Sequence, residues 1–208
     1  MRPKKQIILF SALALLLLLP GTLTAADQFT ITPVYHQSFY RNGDADEWRF
    51  HAPGLNVSFV RDGRLDLLFS FTASTPVWLT ENGETHISYE YYSYPAGFDF
   101  LAGPFWSFPL GEKLVFEPSL GLHAGFLSLK GSGYQTVQFA PLGFGTDLRL
   151  KVLVSDRLVL GMMIGAGWDI VDMLHFKAHD TGYSLTAGLS AGFSYETGRQ
   201  ERKAGGRS

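Results

Sequence analysis

From Phe29 onward apolar residues fall at every second position, and a period of two with one apolar face is the signature of β-strands. In the last run, Thr181, Tyr183, Leu185, Ala187, Leu189, Ala191, Phe193 and Tyr195 alternate with a face of Gly, Ser, Thr and one Glu. Before it, Leu158, Leu160, Met162, Ile164, Ala166, Trp168 and Ile170 alternate with a face that includes Gly161, Gly165, Gly167 and Asp169. Leu142, Phe144, Leu148, Leu150 and Val152 likewise oppose Gly143, Gly145, Asp147, Arg149 and Lys151. Five further runs follow the rule less cleanly, at residues 29–40, 55–61, 64–73, 98–108 and 113–129. The pattern therefore predicts eight strands, and helical spacing competes nowhere beyond the N-terminal leader.

The connections alternate in length. Arg61-Asp62-Gly63-Arg64, Pro109-Leu110-Gly111-Glu112 and Val154-Ser155-Asp156-Arg157 read as tight turns, the first with the Asp-Gly hairpin signal. Residues 41–51, 74–97, 130–136 and 171–180 form longer connections that are polar or aromatic. All the strands but the short second one reach about nine residues or more, the length a tilted strand needs to cross a bilayer. A soluble lipocalin-like barrel would turn the apolar face inward, whereas a membrane barrel turns it to lipid around a polar interior. Mid-strand Gly, Ser and charge, aromatics near strand ends (Trp106, Phe108, Trp168, Tyr183, Tyr195) and the alternation of short and long connections favour the membrane.

Composition narrows the classes further. Only 17% of the 208 residues are charged, below the roughly 25% of soluble domains, and a net charge of -2 gives no footprint for nucleic acid. With no Cys there is no disulfide framework, thiol nucleophile or Cys-type zinc site. Residues 1–26 read as a cleaved secretory signal peptide. They have a basic start at Arg2, Lys4 and Lys5, an apolar core from Ile7 to Leu19 too short to span a bilayer, and small residues ending Thr24-Ala25-Ala26. Cleavage removes three of 17 basic residues, leaving a more acidic mature chain. The long connections carry eight acids against four bases, and the tail, residues 197–208, carries four bases against one acid and is expected to be disordered.

With these runs, the chain resembles the small eight-stranded outer-membrane barrels of the OmpA, OmpX and OmpW type over residues 27–196. The resemblance implies an all-β, antiparallel up-and-down transmembrane barrel in the outer membrane of a diderm bacterium. It also implies contact with outer-membrane lipid and with the barrel-assembly machinery. Such proteins commonly end in an aromatic residue that the machinery reads. Phe193 and Tyr195 match that strand pattern, but the basic tail continues past them.

The same register names candidate residues. Asp66, Asp99, Glu117, His123, Asp147, Arg149, Lys151 and Asp169 fall on the inward face, where an eight-stranded barrel is just wide enough for side chains to fill. Buried charges must pair, so a salt-bridged plug is expected there, with glycines of the last strands making room for Arg149 and Lys151; a narrow charged channel is the alternative. In the longest connection, Trp78, Tyr89, Tyr91, Tyr92 and Tyr94 supply the rigid amphipathic surface that binding loops favour. His36 and Ser38 share the inward face without an identifiable acid, and His175 and His179 stand alone in a loop, so neither catalysis nor a metal or cofactor site is expected. The expected function is structural or adhesin-like, with a monomer binding a host or extracellular ligand through its outer loops. A conduit for small or apolar molecules is the second reading, and a soluble ligand-binding barrel the third.

Overall fold

A computed structural model describes residues 28–41, 47–61, 66–92, 95–130, 136–155, 157–174 and 181–194. The leader, the tail, Tyr94, Tyr195, His175 and His179 lie outside the described residues. The strands are β1 (Gln28–Arg41), β2 (Glu47–Arg61), β3 (Leu67–Ser74), β4 (Trp78–Glu81), β5 (Glu84–Ile87), β6 (Ala96–Pro104), β7 (Phe108–Pro109), β8 (Leu114–Leu129), β9 (Val137–Phe139), β10 (Pro141–Leu153), β11 (Leu158–Asp172) and β12 (Thr181–Ser194). A single helical turn, α1 (Ser88–Tyr91), follows β5.

Eight of these strands form the wall, in the order β1-β2-β3-β6-β8-β10-β11-β12, each antiparallel to its neighbours. Because β1 pairs with β12 on one side and β2 on the other, the sheet closes and these strands have no edge. The alternation in the sequence becomes an inversion of the usual soluble core. Ile31, Leu55, Leu120, Leu122, Phe144, Ile164, Leu185, Leu189 and Phe193 point outward and exposed, while Thr30, Thr32, Ser58, Ser70, Thr72 and Ser184 are buried inside. So continuous an apolar belt is far larger than a soluble monomer leaves to water, and hydrocarbon is the solvent that fits it. The inward-apolar lipocalin arrangement is thereby excluded. Among the described residues no helix is long and apolar enough to cross a membrane.

Three strand expectations change. The second strand is no short element: it runs over 15 residues, because alternation continues through Ala52-Pro53-Gly54. Pro53 has no N–H to offer, but it faces outward and its carbonyl accepts from Thr75 at 3.0 Å, so the ladder survives it. The run at 98–108 is broken after Pro104, yet β7 resumes the register that β6 holds against β8, and the Phe105–Ser119 bridge spans the interruption. The connection at 74–97 is not a plain loop. β4 lengthens the wall by pairing with β2, and β5 folds back on it through Asn82 and Gly83, both at positive φ, the turn that Asn-Gly supplies most readily. A helical turn follows, within what the sequence reads as a long connection. At the opposite end, Ser155 Oγ accepts from the Leu158 N–H at 3.1 Å and fixes the 154–158 turn.

Candidate functional site

The barrel interior is layered. At the short-turn end, Val60, Leu68, Leu101 and Phe105 form an apolar floor. Beside it Lys151, almost fully buried, pairs with Glu117 at 2.5 Å and donates to the Gln28 side-chain carbonyl. One step further in, Arg149 holds Asp147 at 2.8 Å and donates to Ser58 at 2.6 Å and Ser70 at 3.3 Å. Both bases sit on β10, two residues apart, so each strand repeat sets one cation in one layer.

The third layer is built on imidazoles. His123 contacts Asp169 through Nδ1 at 2.9 Å and Asp99 through Nε2 at 3.1 Å. Each ring nitrogen of His123 thus has a carboxylate partner, and the imidazole bridges Asp169 on β11 and Asp99 on β6. Asp99 then reaches His36 Nε2 at 3.2 Å, and the same nitrogen meets Ser38 Oγ at 2.7 Å while Nδ1 meets Thr186 at 2.8 Å. The acid that sequence spacing could not supply for His36 is thus Asp99, brought across the barrel from β6.

Two glycines account for how these groups fit. A Cβ on Gly167 would lie 2.7 Å from the His123 ring, and one on Gly165 would lie 2.5 Å from Asp147 Oδ1. The clearance therefore serves an imidazole and a carboxylate, rather than Arg149 and Lys151 as the register suggested. Asp66 also departs from expectation. It lies one residue before β3 at the short-turn end, partly exposed, where its backbone carbonyl accepts from Phe105.

Between the arginine and histidine layers lies a cavity of about 30 Å³ with a mixed lining, polar at Asn56, Asp99, His123 and Asp147 and apolar at Leu101 and Met163. It has room for a few water molecules and falls far below the roughly 300–1,000 Å³ of ligand pockets. Above the histidines the outer mouth is closed by Tyr40, Trp48, Phe50, Leu79, Tyr92, Leu127, Leu129 and Phe139. Tyr40 stacks on Phe139 at 4.7 Å, and Phe50 and Trp48 tilt against the same ring. Leu79 and Tyr92 come from the long connection, so that connection caps the barrel as well as rising above it. Burial, and after it the Glu81 carboxylate, hold the Tyr92 hydroxyl above its ordinary ionisation range, which keeps it neutral in the cap.

The expected binding surface is therefore divided. Tyr92 is buried in the cap and unavailable to a ligand, Trp78 is half exposed on the outward face of β4, and the side chains of Tyr89 and Tyr91 lie outside the described set. The aromatic belts separate by end, Trp106 and Phe108 at the short turns and Trp168 and Tyr183 at the long loops, all facing outward. Among the described residues no group of three or more His, Cys, Asp or Glu could hold a metal ion.

A lumen sealed by apolar clusters at both ends and crossed by paired charges should not pass ions steadily. Reconstituted into planar bilayers, the protein is expected to show no stable conductance; long-lived openings would contradict the packing.

An outward apolar belt, a polar filled lumen and eight closed strands define a small outer-membrane-type β-barrel. Solved structures share this fold. Neisserial surface protein A aligns with a TM-score of 0.50 at 12% identity, covering 78% of this chain and 95% of that one. OprG from Pseudomonas aeruginosa aligns with a TM-score of 0.55 at 10% identity, covering 83% and 98%. Ail of Yersinia pestis aligns at 0.48 with 15% identity, over 82% and 99%. No family model and no curated protein matches the sequence. At these identities the likeness is one of fold, and the chain has the fold of the small eight-stranded outer-membrane barrels.

Proposed function

We propose that this barrel is a non-enzymatic, adhesin-like surface protein that engages extracellular polypeptide through the β4–β5 hairpin. The observation that carries this reading is the outer edge of β5. The wall strands all have partners on both sides, but the hairpin extends the sheet beyond β2 and ends at β5, with no strand beyond it among the described residues. In an antiparallel hairpin backbone groups alternate between the partner and the far side. Ser88 donates back to Val77 at 2.8 Å, so by that alternation the Thr85 and Ile87 backbone groups face the open edge. Such an edge is a template for an added strand. Glu81, Glu84 and Glu90 around it favour a basic segment.

Catalysis finds little support in the Ser38–His36–Asp99 grouping. In a working triad the acid orients the base through the nitrogen that does not face the nucleophile. Here Asp99 and Ser38 meet the same Nε2, inside a lumen with no room for a substrate. We read the chain as a monomer in the outer membrane, delivered there by a cleaved leader and the barrel-assembly machinery.

Thr85→Pro removes one edge donor and keeps the backbone hydrogen bonds inside the hairpin; the Thr80–Thr85 hydroxyl bond of 2.9 Å is lost as well, so Thr85→Val, which loses that bond but keeps the edge donor, serves as the control and should bind normally. Barrel held in lipid nanodiscs should bind an immobilised peptide of alternating lysine and valine, and the Thr85→Pro variant should bind it at least tenfold more weakly while inserting normally. Equal binding by both proteins, or no binding by either, would overturn the reading.

A further inference from the structure

Near the short-turn end of the lumen, three side chains meet whose chemistry goes beyond an ion pair. Lys151 Nζ lies 2.5 Å from Glu117 Oε2 and donates to the side-chain carbonyl oxygen of Gln28. A primary amine, a carboxylate and a carboxamide are thus gathered from β10, β8 and β1. β10 stands three strands from β1 round the wall, and Lys151 and Gln28 are 123 positions apart in the chain, so only the closed lumen brings them together.

The surroundings favour a reaction between them. Lys151 is among the most deeply buried side chains of the protein, and Glu117 is buried as well. Val60 stands opposite Gln28 in the register and forms the apolar floor with Leu68, Leu101 and Phe105. Two charges held in such a place carry a desolvation cost that can exceed their attraction. One proton passed from the ammonium to the carboxylate removes both charges and leaves an amine lone pair beside the carboxamide. Free in water the two groups would seldom meet, whereas groups fixed in contact gain the large advantage of an intramolecular reaction. The other base of β10 has no such course: the Arg149 guanidinium does not give up a proton, and its partners Asp147, Ser58 and Ser70 include no amide. Gln28 is partly exposed at the rim, so a small leaving group has a way out.

We propose that Lys151 and Gln28 become joined by an isopeptide bond that the folded barrel forms on itself, with Glu117 as the acid–base group. Glu117 takes the first proton from the Lys151 ammonium, and the freed lone pair forms the bond from Nζ to the Gln28 Cδ. A second Nζ proton passes through the Glu117 carboxyl to Gln28 Nε2 as the Cδ–Nε2 bond breaks, and ammonia leaves. The third proton stays on the new secondary amide, and Glu117 ends protonated and neutral. Nothing is oxidised or reduced, and no further reactant is needed. The link ties β1 to β10 across the lumen and replaces a buried pair of charges with two neutral groups.

The test folds the chain from Asp27 onward out of urea into detergent micelles and follows its intact mass after denaturation. The folded protein should become lighter by one ammonia, about 17 Da, while the chain kept in urea should not change. Trypsin should then leave residues 150–157, uncut at Lys151, joined to the peptide that ends at Arg41. Gln28→Glu and Lys151→Arg should both keep their full mass. Glu117→Gln should slow the reaction about a hundredfold or more, the share that a positioned acid–base group contributes. Lys113→Arg, which alters an exposed lysine at the same end, should link as the unaltered barrel does. Each variant is first shown to have the folded gel mobility of the unaltered barrel. A folded, unaltered barrel that keeps its full mass would overturn the proposal, whatever the variants do. So would a link that trypsin places at other residues, or one that forms equally fast in Glu117→Gln. No step involves the β5 edge, so this result and the peptide-binding result stand or fall separately.

Discussion

Replacing Arg149 with methionine will cost the folded barrel about 3–5 kcal/mol, because Asp147 is then left charged inside the wall with its main partner gone. The pair is 2.8 Å apart and both side chains are nearly inaccessible, so the few waters that the neighbouring cavity can hold replace the interaction only in part. The arginine also donates to Ser58 and Ser70, on the far side of the lumen, and the substitution frees those hydroxyls as well. The measurement is reversible urea unfolding in lipid vesicles. Adding Asp147→Asn to Arg149→Met should recover most of the loss, since the penalty arises from the abandoned charge more than from the missing bond. If the double variant is as unstable as the single one, the lumen does not hold its charges as close pairs.

Truncating Phe50 to alanine should cost a similar amount, about 3–5 kcal/mol, for a different reason. Phe50 is 1% exposed at the centre of the outer cap, 5.9 Å from the Tyr40 ring and 6.2 Å from that of Phe139. Its removal leaves a cavity among side chains carried by five strands and by the segment that holds Tyr92, which cannot all move to fill it. The same unfolding assay reads the effect. A loss near 1 kcal/mol would mean that the outer connections, rather than the aromatic cluster, close the mouth. The two experiments act on different layers, so their effects should add when combined.

The strands were legible because the alternation has a clear physical cause: every second side chain must meet hydrocarbon. That rule located the inward face of β10, β11 and β12 residue by residue, and with it Asp147, Arg149, Lys151 and Asp169. It failed where local chemistry interrupts the pattern without breaking the ladder. Ala52-Pro53-Gly54 reads as a loop, yet an outward-facing proline whose carbonyl still accepts a bond is tolerated within a strand. The tyrosine-rich connection was misread in part for the opposite reason. Aromatic content marks both a binding loop and a packed cap, and only the position of Tyr92 against Trp48 and Phe139 separates the two.

Pairings across the lumen are of another kind. His36 and Asp99 are 63 positions apart, and Arg149 and Ser58 are 91 apart, and no spacing rule connects them. Closure of the wall brings them within reach, because opposite strands of a narrow barrel share one interior.

Period and length thus suffice for an all-β membrane-type barrel with a polar interior, since both follow from the chain's local geometry and the thickness of a bilayer. Which charges pair, which aromatics become a cap and which edge stays open depend on shear and closure. Those are properties of the whole sheet, in which each inward side chain meets whatever the opposite wall happens to present. Lys151 shows the division best: its inward direction follows from the alternation, but its contact with Gln28 exists only once β1 and β10 share one closed lumen.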